Sequence, residues 1–459
     1  MRERLTEAAA SAPGKLILFG EHSVVYGHPA VAAAISDMRI TVHAAATRGG
    51  GHLNATLADL RSASGGHVSF CAPLAALREA LAPLPPFDFR APAPPPAAVV
   101  ACLERALAAG SRAPPPPDDM AALVPLLFLC AALLPALFTP QSQVGGLELT
   151  VRSKDLPVGA GLGSSAAFSV ALAGALLRLR LKLHAEEAAE LAHSSSVVLG
   201  APLGACEVPC AAAKQLINGW AYAAECILHG TPSGLDNAVS CEGFAMRLCK
   251  SAGNVSTFER VRQLPQLRVL LTNTKVPRRT REKVAAVKKL HEKHPHATSR
   301  IFESIGAVTE EFLALASRSA SFDAEALERI GSLVTINHHL LCALGVGAPE
   351  LEQVRALTER EGLPTKLTGA GGGGCAFTII GGETDSEGRA MSVTRAKEQL
   401  ECCGFECFET VVGGEGVLWH TSVPSAFIGT ESRAQRRWPL LLTLAGGVYL
   451  AALLVRVSR

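Results

Sequence analysis

The chain has 459 residues, 48% of them hydrophobic and 18% charged, with a formal net charge of +2. That length accommodates two or three domains, and the apolar fraction is enough for a sizeable core. The near-neutral balance argues against a nucleic-acid binder, which carries a basic patch and a high isoelectric point, and leaves an enzyme acting on a small molecule as the default.

The first ten residues carry Arg2, Glu3, Arg4 and Glu7 with no apolar stretch, so no secretory signal is expected. Thirteen scattered cysteines then read as free thiols in a reducing compartment. Cys206 with Cys210, and Cys402, Cys403 and Cys407, lack a second pair at zinc-finger spacing. They are expected to be buried small hydrophobes.

In chain order, Leu16–Val25 reads as a strand and turn ending at Gly27, and Ile35–Ala44 as a second strand. Prolines accumulate between Pro83 and Pro117, a composition expected of a surface insertion or linker. Met120–Leu137 is apolar enough to mimic a membrane span, but Pro125 and Pro135 interrupt it and a core helix is expected. Leu147–Arg152 reads as a strand, followed by a glycine-rich loop and an apolar helix over Ser164–Leu179. Helices are expected over Glu186–Leu199, Ala211–His229, Arg281–His294, Ile301–Ala316 and Ala324–Leu344, with a strand at Val269–Thr274. Arg281–His294 is basic and amphipathic, and the basic segment Arg278–Lys293 reads either as a solvated face or as the border of a polyphosphate site. A second glycine loop, Lys366–Ala376, leads into a strand at Cys375–Ile380. Strands and helices mix without regular alternation, which predicts an α+β fold.

The strongest local signal is Leu156-Pro-Val-Gly-Ala-Gly-Leu-Gly-Ser-Ser-Ala-Ala167. Gly159, Gly161 and Gly163 permit positive φ and close backbone approach. Their N–H groups can form an anion nest that runs into a helix N-terminus, where a triphosphate is the natural guest. Ser164 and Ser165 offer hydroxyls that could cap the helix or ligate Mg²⁺. The loop is neither a Walker A motif nor a dinucleotide-binding fingerprint.

Three motifs occur in order: Ser11-Ala-Pro-Gly-Lys-Leu-Ile-Leu-Phe-Gly-Glu-His-Ser-Val-Val-Tyr-Gly27, the loop above, and Lys366-Leu-Thr-Gly-Ala-Gly-Gly-Gly-Gly-Cys375. They resemble the superfamily of galactokinase, homoserine kinase, mevalonate kinase and phosphomevalonate kinase. His229–Ser240, Leu271–Thr280, Ala343-Leu-Gly-Val346 and Cys403-Gly-Phe-Glu-Cys407 are similar to the animal mevalonate kinase family. The resemblance runs from about residue 8 to about residue 425, with weak patches at 60–145 and 180–215.

That resemblance implies a two-domain kinase, with units at 8–245 and 246–425, that transfers a phosphoryl group from ATP to the primary hydroxyl of mevalonate. It implies Asp236 as general base, Lys15 as the cation beside it, and Ser165 and Glu225 as Mg²⁺ ligands. ATP would meet Lys15, Gly159, Ala160, Gly161, Leu162, Gly163, Ser164 and Ser165, with Asp59 and either Ser153 or Lys154 as further contacts. Glu21, His22, Thr280 and Ala370 would lie on the substrate side. Taken alone, Asp236 reads as an Asx-turn acid, Glu225 as a solvated helix charge and His22 as a satisfied structural histidine. Phe168 stands where animal relatives commonly carry tyrosine, and Leu340 replaces a polar residue. A homodimer, feedback binding of prenyl diphosphates, and a cytoplasmic or peroxisomal location are further implications. The rival readings are another kinase of the superfamily and an inactive, membrane-tethered relative.

The resemblance stops before the last thirty residues. Trp438–Val455 is eighteen residues without a charge, flanked by Arg433, Arg436 and Arg437 and by Arg456 and Arg459. As a helix it would reach about 27 Å, only just a thin bilayer. A tail anchor, a helix docked on the kinase body and an atypical terminus all fit this stretch.

Overall fold

The structure is a computed structural model describing residues 3–62, 65–111, 114–140, 142–157, 159–193, 206–250, 256–261, 264–318, 321–381 and 387–424. The apolar tail Trp438–Val455 and the end of the expected helix Glu186–Leu199 lie outside the described residues.

The chain opens with β1 (Arg4–Phe19), turns through a 3₁₀ segment at Ser23–Tyr26, and returns as β2 (Ala30–Thr47). β3 (His52–Arg61) and β4 (His67–Pro73) form a hairpin ahead of α1 (Leu74–Leu81), α2 (Ala97–Gly110) and α3 (Pro117–Leu133). β5 (Gly146–Lys154) leads through the glycine loop into α4 (Ser164–Leu183). Next come α5 (Ala185–His193), β6 (Cys206–Glu207), α6 (Ala211–His229) and α7 (Leu235–Glu242). β7 (Ala245–Lys250), β8 (Ser256–Val261) and β9 (Leu267–Asn273) precede α8 (Thr280–Lys293), α9 (Pro295–Ala316), α10 (Ala324–Ala343) and α11 (Pro349–Arg360). β10 (Thr365–Leu367), β11 (Cys375–Gly381), α12 (Glu387–Cys402), β12 (Glu406–Val412) and β13 (Leu418–His420) complete the described chain.

β2 is the hub of the sheet, pairing antiparallel with β1, β5 and β7 and touching β12 at Ile35↔Val412. β13 returns to pair with β1, and β9 lies between β11 and β12. Only β3 with β5 runs parallel among these pairs, so the α+β reading holds.

The spine strands are rich in alanine for a packing reason. Ala8, Ala10, Ala12, Ala33 and Ala44 are all buried, and such small side chains let α4 lie close to β1. A Cβ on Gly174 of α4 would already sit 3.2 Å from the Ala10 Cβ. The Trp419 indole of β13 donates to the Gly174 carbonyl at 2.9 Å, fastening the returning end of the chain to the same helix. A second apolar core joins Leu270 of β9 to Phe302, Leu341, Leu351 and Leu400 of the later helices.

Two expectations are corrected. The proline-rich stretch 83–117 is not all surface linker, because residues 97–110 form α2 and bury Val99, Cys102, Leu103, Ala106 and Leu107. The prolines sit outside that helix, with Pro96 at its N-cap position and Pro117 at the first position of α3, where a missing N–H costs nothing. The clustered cysteines are not buried hydrophobes either. Cys402 and Cys403 are exposed and Cys206, Cys210 and Cys407 half-buried, while Cys102, Cys130, Cys241 and Cys375 fill the core. All thirteen are free thiols.

The core-helix reading of Met120–Leu137 holds as α3 with a following 3₁₀ turn at Pro135–Phe138. Among the described residues no helix is long and apolar enough to cross a membrane.

Candidate active site

The glycine loop takes up the backbone its composition predicts: Gly159, Gly161 and Gly163 have φ of 79°, 90° and 73°. Two of these glycines also meet a cation at close range. A Cβ on Gly161 would stand 2.1 Å from Arg278 Nη1, and one on Gly163 would stand 2.8 Å from Lys15 Cγ. Ala160 and Leu162 point inward and are buried. Gly163 is the N-cap of α4 with no side-chain cap bond, so the serines do not cap and the first N–H groups of the helix are not satisfied in that way. Ser165 donates instead to Glu225.

β1 delivers Lys15 beside this loop. The Lys15 N–H donates to the Leu162 carbonyl at 2.7 Å, and Ser240 of α7 donates to the Pro13 carbonyl at 2.6 Å. These bonds tie strand, loop and α7 together. The Lys15 side chain is buried and its Nζ lies 3.2 Å from Asp236 Oδ1, whereas the Asp236 side chain is 41% exposed. Asp236 occupies the first turn of α7, after Gly234 at φ 79°. The carboxylate therefore opens to solvent while a sheathed cation backs it.

Glu225, on the buried face of α6, accepts from Ser165 Oγ at 3.0 Å and from Ser169 Oγ at 3.0 Å. His229, one turn on, lies 3.5 Å from the same carboxylate. Burial pushes the Glu225 carboxyl up to about 7, with the Ser169 and Ser165 bonds opposing and the nearby Asp236 charge adding. A buried carboxylate held next to a helix-start serine, short of positive charge, fits a hard divalent cation such as Mg²⁺.

Motif one meets the second glycine loop through its acid and histidine. Glu21 is buried with both oxygens engaged, Oε1 by Lys366 Nζ and Oε2 by Asn337 Nδ2 at 3.1 Å. Lys366 is fully buried, and that burial lowers its pKa while Glu21 opposes the effect. His22 holds a positive φ of 62°, and its Nε2 lies 3.0 Å from the Ala370 carbonyl. A carbonyl only accepts, so Nε2 carries the proton and Nδ1 presents its lone pair. Burial lowers the imidazole pKa.

The structure thus brings Lys15, Asp236, Gly161 and Gly163 together, sets Ser165 against Glu225, and joins Glu21 and His22 to the second glycine loop at Ala370. Thr280 is exposed at the start of α8. Asp59 and Ser153 pair with each other, the Ser153 N–H donating to Asp59 Oδ2 at 2.7 Å. Ser153 Oγ donates to the Leu156 carbonyl, placing this pair where β5 runs into the glycine loop.

Sequence reasoning named Arg278 only as the start of the basic segment Arg278–Lys293 and gave it no role of its own in the site. Its side chain lies between the two glycine loops: Nη1 is 3.2 Å from a Cβ on Gly369, and its Cγ and Cδ would collide with one on Gly374. Its buried Nε has no hydrogen-bond partner. Burial lowers its pKa, with Cys375 and Asp236 opposing. The sequence signal was its place at the head of that basic segment, two residues before Thr280. Lys283 of the basic helix also reaches this region, donating to the Gly345 carbonyl at 3.1 Å and pressing on Gly372.

Residues 127–215 match the GHMP kinases N terminal domain and residues 319–400 match the GHMP kinases C terminal domain. The mevalonate kinase of Mus musculus is 36% identical over 430 residues, covering 91% of this chain and 96% of that one. That of Arabidopsis thaliana is 31% identical over 423 residues, covering 89% and 98%. The chain belongs to the mevalonate kinase family. Solved structures agree on the family's fold. The crystal structure of L. major mevalonate kinase in complex with R-mevalonate superposes with a TM-score of 0.58 at 19% identity, covering 91% of this chain and 100% of that one. Lactococcus lactis galactokinase complexed with galactose superposes with a TM-score of 0.51 at 14% identity, covering 90% and 95%.

Proposed function

We propose that this protein phosphorylates the primary hydroxyl of mevalonate with ATP, giving 5-phosphomevalonate for isoprenoid and sterol precursor synthesis. The observation that carries this reading is the Lys15–Asp236 pair, which the Lys15 N–H to Leu162 carbonyl bond fixes beside the phosphate loop. Phosphoryl transfer needs positioned phosphates, neutralised charge and a destination for the hydroxyl proton. The glycine-loop N–H groups and the start of α4 bind the phosphates. The Asp236 carboxylate accepts the hydroxyl proton. The Lys15 ammonium, sheathed from water, stabilises the charge that develops on the attacking oxygen.

Arg278, half-buried between the loops, supplies a further cation to an anionic group bound there. His22 directs its Nδ1 lone pair to a hydroxyl donor, held in place by Ala370. Glu21, engaged by Lys366 and Asn337, acts by fixing His22. Thr280 faces the substrate from the start of α8, and Asp59 with Ser153 lies on the nucleotide side. Ser165 and Glu225 would hold Mg²⁺, which when bound supplies charge neutralisation at the phosphates.

The units are proposed at 8–245 and 246–425, with β13 returning to the sheet of the first. A homodimer, feedback binding of prenyl diphosphates and a cytoplasmic or peroxisomal location belong to the proposal on the strength of the resemblance alone. The test is a coupled ATP assay with mevalonate, 5-phosphomevalonate and galactose as rival acceptors, the product identified by mass. Turnover confined to mevalonate supports the reading, and preference for either rival overturns it.

A further inference from the structure

Among the described residues, one group of side chains has metal-ligating chemistry that the reaction does not use: His338, Cys342 and Glu352. His338 and Cys342 stand four apart on α10, one helical turn, and so share a face. α11 folds back across the short turn 344–348 and places Glu352, in its first turn, opposite them. His338 Nε2 lies 2.8 Å from Glu352 Oε1, Cys342 Sγ lies 3.1 Å from the same oxygen, and the sulfur lies 3.5 Å from Nε2. Three ligand atoms around a tetrahedral Zn²⁺, at about 2.0–2.3 Å from the metal, stand roughly 3.3–3.8 Å apart. The trio needs only a small expansion to reach that spacing.

Arg355 Nε holds Glu352 Oε2 at 3.2 Å, leaving Oε1 turned toward the sulfur and imidazole, as an outer partner orients a metal ligand. His338 is buried, Cys342 is half-buried, and the Glu352 side chain is 41% exposed, so one side of the group is open to water. Thiolate, imidazole and a single carboxylate oxygen form a donor set that selects Zn²⁺ over Mg²⁺ or Ca²⁺. The cations nearest the group are Arg355 on the Glu352 side and Lys366 on the His338 side; they temper its affinity without occupying the ligand atoms.

We propose that His338 Nε2, Cys342 Sγ and Glu352 Oε1 form a Zn²⁺ site whose fourth ligand is water. On binding, the Cys342 S–H bond breaks, its proton passes to solvent and a Zn–S bond forms. His338 Nδ1 now accepts from the Leu367 N–H at 3.2 Å, which leaves the ring proton on Nε2. That proton moves to Nδ1 when Nε2 takes the metal, and the bond to Leu367 is released. No oxidation or reduction is involved. Leu367 follows Lys366, the partner of Glu21, and Val346 in the α10–α11 turn accepts from the Gly372 N–H at 2.8 Å. The ion thus sits behind the second glycine loop.

The test uses the full metal-free chain under a phosphine reductant, titrated with Co²⁺ as a spectroscopic substitute and then with Zn²⁺. One equivalent of Co²⁺ should produce a thiolate charge-transfer band with the visible bands of tetrahedral cobalt, and Zn²⁺ should abolish both. Cys342→Ser should remove the charge-transfer band, and His338→Gln should weaken Zn²⁺ at least about tenfold. Glu352→Gln provides a third arm if either variant melts below the working temperature. Absence of the band in the wild-type chain, or its survival in Cys342→Ser, overturns the proposal and leaves a hydrogen-bonded trio. The readout needs no turnover, so its failure is distinct from failure of the assigned reaction.

Discussion

Glu225→Gln tests the electrostatics of the site without relying on catalysis. Burial raises the Glu225 carboxyl from 4.5 to about 7 in the folded chain. A folded-state pKa above the unfolded one gives stability that is full below pH 4.5 and falls as pH rises toward 7, because folding then requires proton uptake. The rise corresponds to about 3 kcal/mol at about 1.4 kcal/mol per pH unit. For a chain of this length, an unfolding entropy of roughly 2 cal/mol/K per residue converts that to about 3 °C in Tm. Glutamine keeps hydrogen-bonding capacity toward Ser165 and Ser169 but cannot ionise. Thermal melts of both metal-free proteins, from pH 4.5 to 8.5, should show the variant gaining on wild type by about that amount across pH 4.5–7. Mg·ATP should stabilise wild type at pH 8 more than the variant, and the variant should use Mg·ATP poorly. A Tm difference that stays flat across the window would refute the buried-carboxylate account, and equal Mg·ATP protection would refute the metal role.

Asp236→Asn should cut kcat by about 10²–10⁴-fold while nucleotide affinity, measured by calorimetry, stays within a few-fold; full activity would remove it as the base. Lys15→Met should lower kcat far more than it raises KM, because the cation acts as charge develops. A pure KM effect in steady-state kinetics would make it a binding residue only. Lys366→Met leaves the buried Glu21 carboxylate unpaired and should cost about 3–5 kcal/mol in urea unfolding. Adding Glu21→Gln should recover much of that loss, and a Lys366→Met chain as stable as wild type would show the pair to be idle. Gly161→Ala sets a methyl 2.1 Å from Arg278 Nη1 at a φ of 90°, so it should depress turnover sharply in the mevalonate assay while the melting curve moves by only a few °C; unchanged kinetics would mean that Arg278 is free to swing away.

The amino-acid sequence by itself determined the phosphate loop, because Gly159, Gly161 and Gly163 encode a local backbone that few other residues adopt, and the helix that follows is equally local. Most later helices were legible for the same reason, their apolar spacing lying within a few residues. α10 adds a local cap, Asp323 accepting from the Ala326 N–H. The long spine strands were less legible: β1 starts at Arg4 and β2 ends at Thr47, and because both faces are covered their alanine runs carry no alternation. The buried α2 was hidden by flanking prolines, whose composition speaks of linkers while their placement serves helix starts. Single side chains in the site were beyond local reading. Glu21 meets Lys366 across 345 positions of chain, His22 meets Ala370 across 348, and Arg278 earns its place only where two glycine loops converge. Such contacts depend on sheet pairing and on the return of the chain, which no short window contains. The sequence therefore specified the chemistry's components, and tertiary packing decided which carboxylate faces water, which is locked by a buried lysine, and which cation stands between the loops.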